Sequence, residues 1–340
     1  MAASMALKPR LTVILPAMLG PTATRAALEA WSRLRSGESL QVLATVPGRF
    51  MPADPEALNL APWVRFVDIG STNPQEARSI AAREILGEYV FFAEDHCLPD
   101  EGWAEAMLRD IADGWDVINA AFRPGNRGSL GSLGAFLLGY GEWMVPIAAG
   151  RIRISCGHNM CVRTDLLKRL CADDFGRLED GIPLAWKIRA SGARIHLCSE
   201  ACMRHFDSTT WRKCAAEFTH VGLACGVWRT AHWPRLARWA YPLALPAIAA
   251  LHFKRAIAQY LRAGRECGIP CEALLASACW ALIWATSEAA GCFGTGRQAA
   301  DWIARAEIKP ASLAMVEVSD AWEKRTGFRD LQRNRSAVRG

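Results

Sequence analysis

The stretch Tyr89-Val-Phe-Phe-Ala-Glu-Asp-His-Cys-Leu-Pro99 constrains this chain most. Four consecutive large apolar or aromatic residues predict a strand buried on both faces of a sheet. Two carboxylates and an imidazole follow at once, and a proline then stops the strand. Glu94, Asp95 and His96 are therefore delivered to the C-terminal edge of the sheet, which is where an open α/β sheet binds its ligands. The plainer reading of the same residues is a solvated turn with one buried histidine.

The flanking sequence supplies the rest of such a sheet. Leu11-Thr-Val-Ile-Leu-Pro16 reads as the first central strand, Leu40 to Val46 as the second and Val64 to Ile69 as the third, closed by Pro16, Pro47-Gly48 and Gly70. Between the first two lies a helix with Leu28, Trp31 and Leu34 on one face. Asn73-Pro74-Gln75-Glu76 predicts a helix start, with asparagine as cap, proline at the first helical position and glutamate reaching back. That helix runs straight into the Tyr89 strand, which implies a right-handed parallel crossover. Asp116 to Phe122, Arg151 to Ile154 and Ala193 to Cys198 read as further strands, the last leading to Arg204-His205. A helix with Pro183 in its first turn closes at Gly192. Arg123 to Gly128 has turn chemistry and reads as a mobile loop over a cleft; no Gly-Lys-Ser/Thr follows to make it a phosphate loop.

Of the 340 residues 51% are hydrophobic and 22% charged, so a sizeable core is available. The net charge of +6 is spread without a long basic run. It suits phosphate-bearing small molecules or an anionic membrane surface as well as nucleic acid, so charge alone decides little; taken with the chain's motifs, no nucleic-acid partner is expected. The twelve cysteines contain no Cys-x-x-Cys pair, which favours reduced core thiols in a cytosolic compartment over a zinc site. The first ten residues lack the long apolar run of a secretory signal.

From residue 231 the texture changes. Apolar runs, Trp239 to Phe253 and Ala273 to Phe293, are flanked by Lys254-Arg255 and by Arg262 to Arg265. The first run falls short of the roughly twenty residues that span a bilayer, and the second carries Ser287-Glu288. The expectation is two regions, 10–230 and 231–340. The second would be helical and peripheral or re-entrant at the cytoplasmic face of the cell membrane, with a soluble helical subdomain as the alternative.

Four short elements follow one another in order: Arg78-Ser-Ile-Ala-Ala-Arg83 with Gly87-Glu88, Glu94-Asp95-His96 with Pro99, Gly157-His158-Asn159 with Arg163, and Glu179-Asp180. Across residues 10 to 230 they resemble the family 2 glycosyltransferases of the GT-A fold. The resemblance implies an α/β fold with a mixed, mostly parallel sheet flanked by helices, followed here by the C-terminal helical region. It implies transfer of a sugar from a nucleotide-sugar donor to a glycan or lipid-linked hydroxyl acceptor, with a divalent metal, Mg or Mn. Carried onto this sequence, the donor side is Pro16, Gly70, Arg78, Arg83, Glu94 and Asp95, and the metal set is Glu94, Asp95, His96 and His205. The acceptor side is His158, Asn159 and Trp211, and the catalytic pair is Asp180 as base with Glu179 orienting. No acid closes the second strand, an imidazole stands third in the metal element, and no Gln-x-x-Arg-Trp follows Glu179-Asp180, so a processive synthase is not expected. A GT-A module that binds nucleotide sugar or glycan without turnover is the alternative.

Overall fold

A computed structural model of the chain describes residues 8–21, 23–34, 39–70, 74–126, 129–171, 175, 178 and 181–308. Nine strands form one sheet: β1 Leu11–Pro16, β2 Leu40–Val46, β3 Val64–Asp68, β4 Tyr89–Phe92, β5 Cys97–Pro99, β6 Val117–Pro124, β7 Gly150–Ile152, β8 Met160–Arg163 and β9 Ile195–His205. Their order is β3-β2-β1-β4-β8-β6-β9-β5, with β7 also on β9. Strands β1 to β4 are mutually parallel, β8 runs against β4 and β6, and β9 runs with β6. The sheet is thus the expected mixed, mostly parallel one, flanked by helices and followed by a helical region.

Strand β4 is buried on both faces, as its sequence requires. Its pleat sends Tyr89 and Phe91 into one apolar layer and Val90 and Phe92 into the other. In the first layer Phe91 meets Trp103 at 4.8 Å and Trp31 at 5.7 Å between ring centroids. Trp31 comes from α1 (Arg25–Ser32) and Trp103 from α3 (Trp103–Ala112), while α2 (Pro74–Ala82) covers the other face through Ala77 and Ala81. Burying each such ring contributes about 2–3 kcal/mol, which fixes the strand that carries the ionisable triplet.

Strand β4 stops at Phe92, and Cys97–Pro99 forms a separate strand that pairs antiparallel with the end of β9, Cys97 opposite His205. Strand β9 is longer than Ala193 to Cys198, because a register shift between Ala120 and Ala121 lets it follow β6 to His205. The segment after the Arg123 turn, unassigned by periodicity, is helix α4 (Leu130–Gly139). Ser129 caps it, its Oγ accepting from Ser132 N at 3.3 Å. Short helices α5 (Thr164–Leu170) and α6 (Gly181–Ala190) flank β8 and β9 in the chain. The C-terminal helices are α7 (Trp211–Thr230), α8 (Arg235–Ala240), α9 (Leu245–Gln259), α10 (Ala273–Gly291) and α11 (Gly296–Ile308). Helix α10 packs on α7, α9 and α4, which ties the helical region to the sheet. All twelve cysteines are free thiols.

Candidate active site

The strand directions bring distant residues to one edge. Glu94 follows the C-terminal end of β4, His205 ends β9, and Asn159 precedes the reversed strand β8, so all three converge. The β5–β9 pairing closes the group, with Phe206 N donating to His96 O at 2.9 Å. Asn159 is set by its backbone: φ is 49°, and its N–H donates to Phe92 O at 2.6 Å. Gly157 before it has φ 88° and lies so close to Gly181 that any side chain would strike that backbone.

Glu94 is the centre of the cluster. Its Oε2 accepts from Asn159 Nδ2 at 2.5 Å and from Tyr140 Oη at 2.7 Å. His205 Nε2 lies 3.6 Å from the same oxygen, and His96 Nε2 lies 3.8 Å from Oε1. Each imidazole has its other nitrogen on a second carboxylate, His96 Nδ1 on Asp95 and His205 Nδ1 on Asp207, both at 3.1 Å. That arrangement orients a ring and leaves Nε2 facing inward, as around protein-bound metals.

Electrostatics follow from burial and pairing. Burial alone would raise the pKa of Glu94, but His96 and then a His205 hydrogen bond hold it well below the usual carboxylate range. Burial would lower the pKa of both histidines. Glu94 and Asp95 reverse this for His96, and Asp207 and Glu94 carry His205 up to about 10. The Tyr140 hydroxyl is pushed well above its ordinary range by burial and then by Glu94. Glu94 is therefore a buried carboxylate between two imidazoles whose pKa values it helps to raise.

One carboxylate and two imidazoles offer ligand atoms within 4.8 Å of one another. This donor set fits a divalent cation, and its two imidazole nitrogens suit a transition metal better than Mg, which prefers oxygen. Asp95 Oδ1 lies 3.1 Å from His96 Nδ1 and so orients that imidazole.

Glu94, His96 and His205 line a cavity of about 380 Å3 to which the C-terminal helices also contribute. His158 and Gly181 line it, with Trp186, Trp228 and Trp284 toward the helical side. Glu217 of α7 also lines it. Burial, partly offset by a 2.5 Å hydrogen bond from Ser208 Oγ, lifts this carboxyl to about 7. Arg229 lines the cavity as well, held by Glu288 at 2.6 Å.

Other positions picked from the sequence lie elsewhere. Pro16 and Gly70 sit at the same sheet edge, at the ends of β1 and β3, but outside the cavity lining. Arg78 is buried in α2 and Arg83 is exposed just after it. Trp211 is half exposed at the start of α7, its ring 4.8 Å from Trp280, and it does not line the cavity. Glu179 and Asp180 lie outside the described residues; the next residue, Gly181, lines the cavity.

Sequence reasoning passed over Tyr140, Asp207, Glu217 and Asp68. The His205-x-Asp207 spacing was a usable signal, whereas nothing local marked Tyr140. Asp68 ends β3 opposite Val46 of β2. A Cβ placed on Gly48 would come within 3.1 Å of its carboxylate. An acid therefore stands beside the end of the second strand, although the second strand itself has none.

No family model and no curated protein matches this chain. Solved structures similar to it include GalNAc-T7 with UDP, GalNAc and Mn2+, at 12% identity over 58% of this chain and 44% of that chain, TM-score 0.43. The mannosyltransferase PcManGT from Pyrobaculum calidifontis, in complex with GDP-Man and Mn2+, is 19% identical over 95% of this chain and 83% of its own, TM-score 0.42. TarS 1-349 of S. aureus is 13% identical over 79% and 90%, TM-score 0.41. This chain spans less than half the length of the first of these. Likeness at such identities and TM-scores says nothing of substrate or reaction, which have to come from the site.

Proposed function

We propose that the chain is a glycosyltransferase that moves a sugar from a nucleotide-sugar donor to a hydroxyl on a glycan or lipid-linked acceptor, inverting the anomeric centre. The observation that carries this reading is the buried Glu94 between two carboxylate-aligned imidazoles, at the C-terminal edge of a mostly parallel sheet and lining a cavity. Glu94, His96 and His205 would hold a divalent cation, which when bound supplies positive charge to a leaving diphosphate. Asp68, with Pro16 and Gly70 at the same edge, is suited to the nucleoside. The acceptor enters the cavity past His158, while Asn159 beside it holds Glu94. Its hydroxyl oxygen attacks the anomeric carbon, the bond from that carbon to the diphosphate oxygen breaks, and the electron pair leaves with the diphosphate. The hydroxyl proton passes to Asp180, with Glu179 orienting it.

A second reading of the base rests on Glu217, a half-buried carboxyl lining the cavity whose pKa of about 7 suits proton transfer at neutral pH. The same shift has a stability signature. The folded state holds this proton above the unfolded carboxylate's pKa, so the contribution is complete below about pH 4.5 and lost as pH rises through about 7. Glu217→Gln cannot ionise and should be more stable than wild type at pH 8, by on the order of 2 kcal/mol, with little difference at pH 4. Urea unfolding at the two pH values checks this, and equal differences at both would reject the assigned burial.

The direct test of function is a panel of nucleotide sugars, with Mn2+, with Mg2+ and with EDTA, scored for hydrolysis and for transfer. Turnover of at least one donor that EDTA abolishes and Mn2+ restores is expected. Binding without turnover across the panel would instead support the non-catalytic module.

A further inference from the structure

The solvent-facing stripe of α10 is apolar, and large apolar side chains also stand exposed on α8 and just before α9. Along α10 the exposed positions are Leu275, Cys279, Leu282, Thr286 and Ala290, with exposed Phe293 just beyond its end, and there is not one charge among them. Leu275 is 72% exposed and Leu282 54%. On α8 and the turn before α9, Leu236 and Leu243 are each 84% exposed and Trp239 is 70% exposed. Trp239 meets Phe293 at 4.8 Å, so the stripes of α8 and α10 join. A helix face turned to water is normally polar, and a continuous apolar patch marks a surface that is covered in use.

Charge identifies what covers it. Residues 231–270 carry Arg235, Arg238, Lys254, Arg255, Arg262 and Arg265 against the single carboxylate Glu266. A second copy meeting this face across a two-fold axis would set those cations against themselves. An anionic lipid surface instead matches them, and its interface accepts leucine and tryptophan beside arginine and lysine.

The mode of contact follows from the other side of α10. By length and composition α10 could cross a bilayer, but half of its apolar window is buried in the protein. Ser277 Oγ donates to Gly134 O at 3.1 Å and Trp280 Nε1 to Gly131 O at 2.9 Å, both on α4. Glu288 is fully buried and accepts from Arg229, Tyr241 and Trp284. Drawing α10 into hydrocarbon would break these bonds and expose a carboxylate to lipid.

We propose that the exposed face of α8, α9 and α10 docks the folded protein on an anionic bilayer, lying in the headgroup region without crossing it. The reading is independent of the reaction catalysed. Flotation of the full chain with phosphatidylcholine vesicles, with and without phosphatidylglycerol, tests it. Binding to the anionic vesicles, weakened by salt, is expected. Leu236→Asp with Leu243→Asp should reduce that binding at least about tenfold, and Arg235→Gln with Lys254→Gln by about as much. These side chains are exposed, so thermal midpoints should stay unchanged and separate docking from misfolding. Failure to float with anionic vesicles overturns the proposal, as does binding indifferent to these substitutions. A concentration-dependent dimer, formed without lipid and broken by Leu243→Asp, would overturn it in favour of a second copy.

Discussion

Asp180→Asn should lower turnover at least about a hundredfold while leaving the affinity for the nucleotide-sugar donor nearly unchanged. Asparagine keeps the size of the side chain and removes only the ability to take a proton. An acceptor hydroxyl that cannot shed its proton as it attacks leaves the transition state carrying unneutralised positive charge, whereas the donor's own contacts are untouched. Steady-state kinetics with varied acceptor, together with donor titration by calorimetry, separates the two effects. Near-normal turnover in Asp180→Asn, with a large loss in Glu217→Gln, would move the base to α7. Equal, small losses in both would mean that neither carboxylate takes the proton.

Glu94→Gln should be the most damaging single change at the sheet edge. The amide preserves shape but removes the charge that faces both imidazoles at 3.6 and 3.8 Å. Mn2+ affinity should fall about a hundredfold, and turnover at least as far. His205, now at about 10, should titrate closer to the ordinary histidine range, because one of the two carboxylates that raise it is gone. Wild-type His205 contributes stability that is complete below about pH 6.5 and lost as pH rises through about 10. Glu94→Gln gives up part of it, and leaving buried imidazolium groups short of a partner costs about 3 kcal/mol at neutral pH. Histidine NMR titration reads the pKa, and urea unfolding reads the stability. An unchanged His205 titration would refute the electrostatic account, whatever happened to turnover.

The parts of the candidate site were legible to different degrees for a physical reason. Glu94 could be found because it follows an apolar run long enough to predict a buried strand, and a buried strand must release its charged residues at an edge. Arg78 and Asp95 were found by motif, and their neighbourhoods are structural matters: Asp95 turns to His96, while Arg78 lies buried in α2 away from the cavity. Helix α4 escaped because Leu130 to Gly139 is rich in glycine and apolar on every side, so it has no period to read. It is held by hydrogen bonds from Ser277 and Trp280, far along the chain.

The sequence by itself determined the local elements: β1, β2 and β4, each an apolar run closed by proline, glycine or charge, and the placing of Glu94-Asp95-His96 after the last of them. Those outcomes rest on interactions between near neighbours and on burial, which a linear pattern records. Only the tertiary structure decided which residues stand around Glu94. Cys97 pairs with His205 across strands distant in sequence, a register shift at Ala120 extends β9 far enough to reach, and Tyr140 arrives from the end of α4. Strand order and register are non-local choices made by the packing of the whole sheet, so the second imidazole and its aligning Asp207 were settled there.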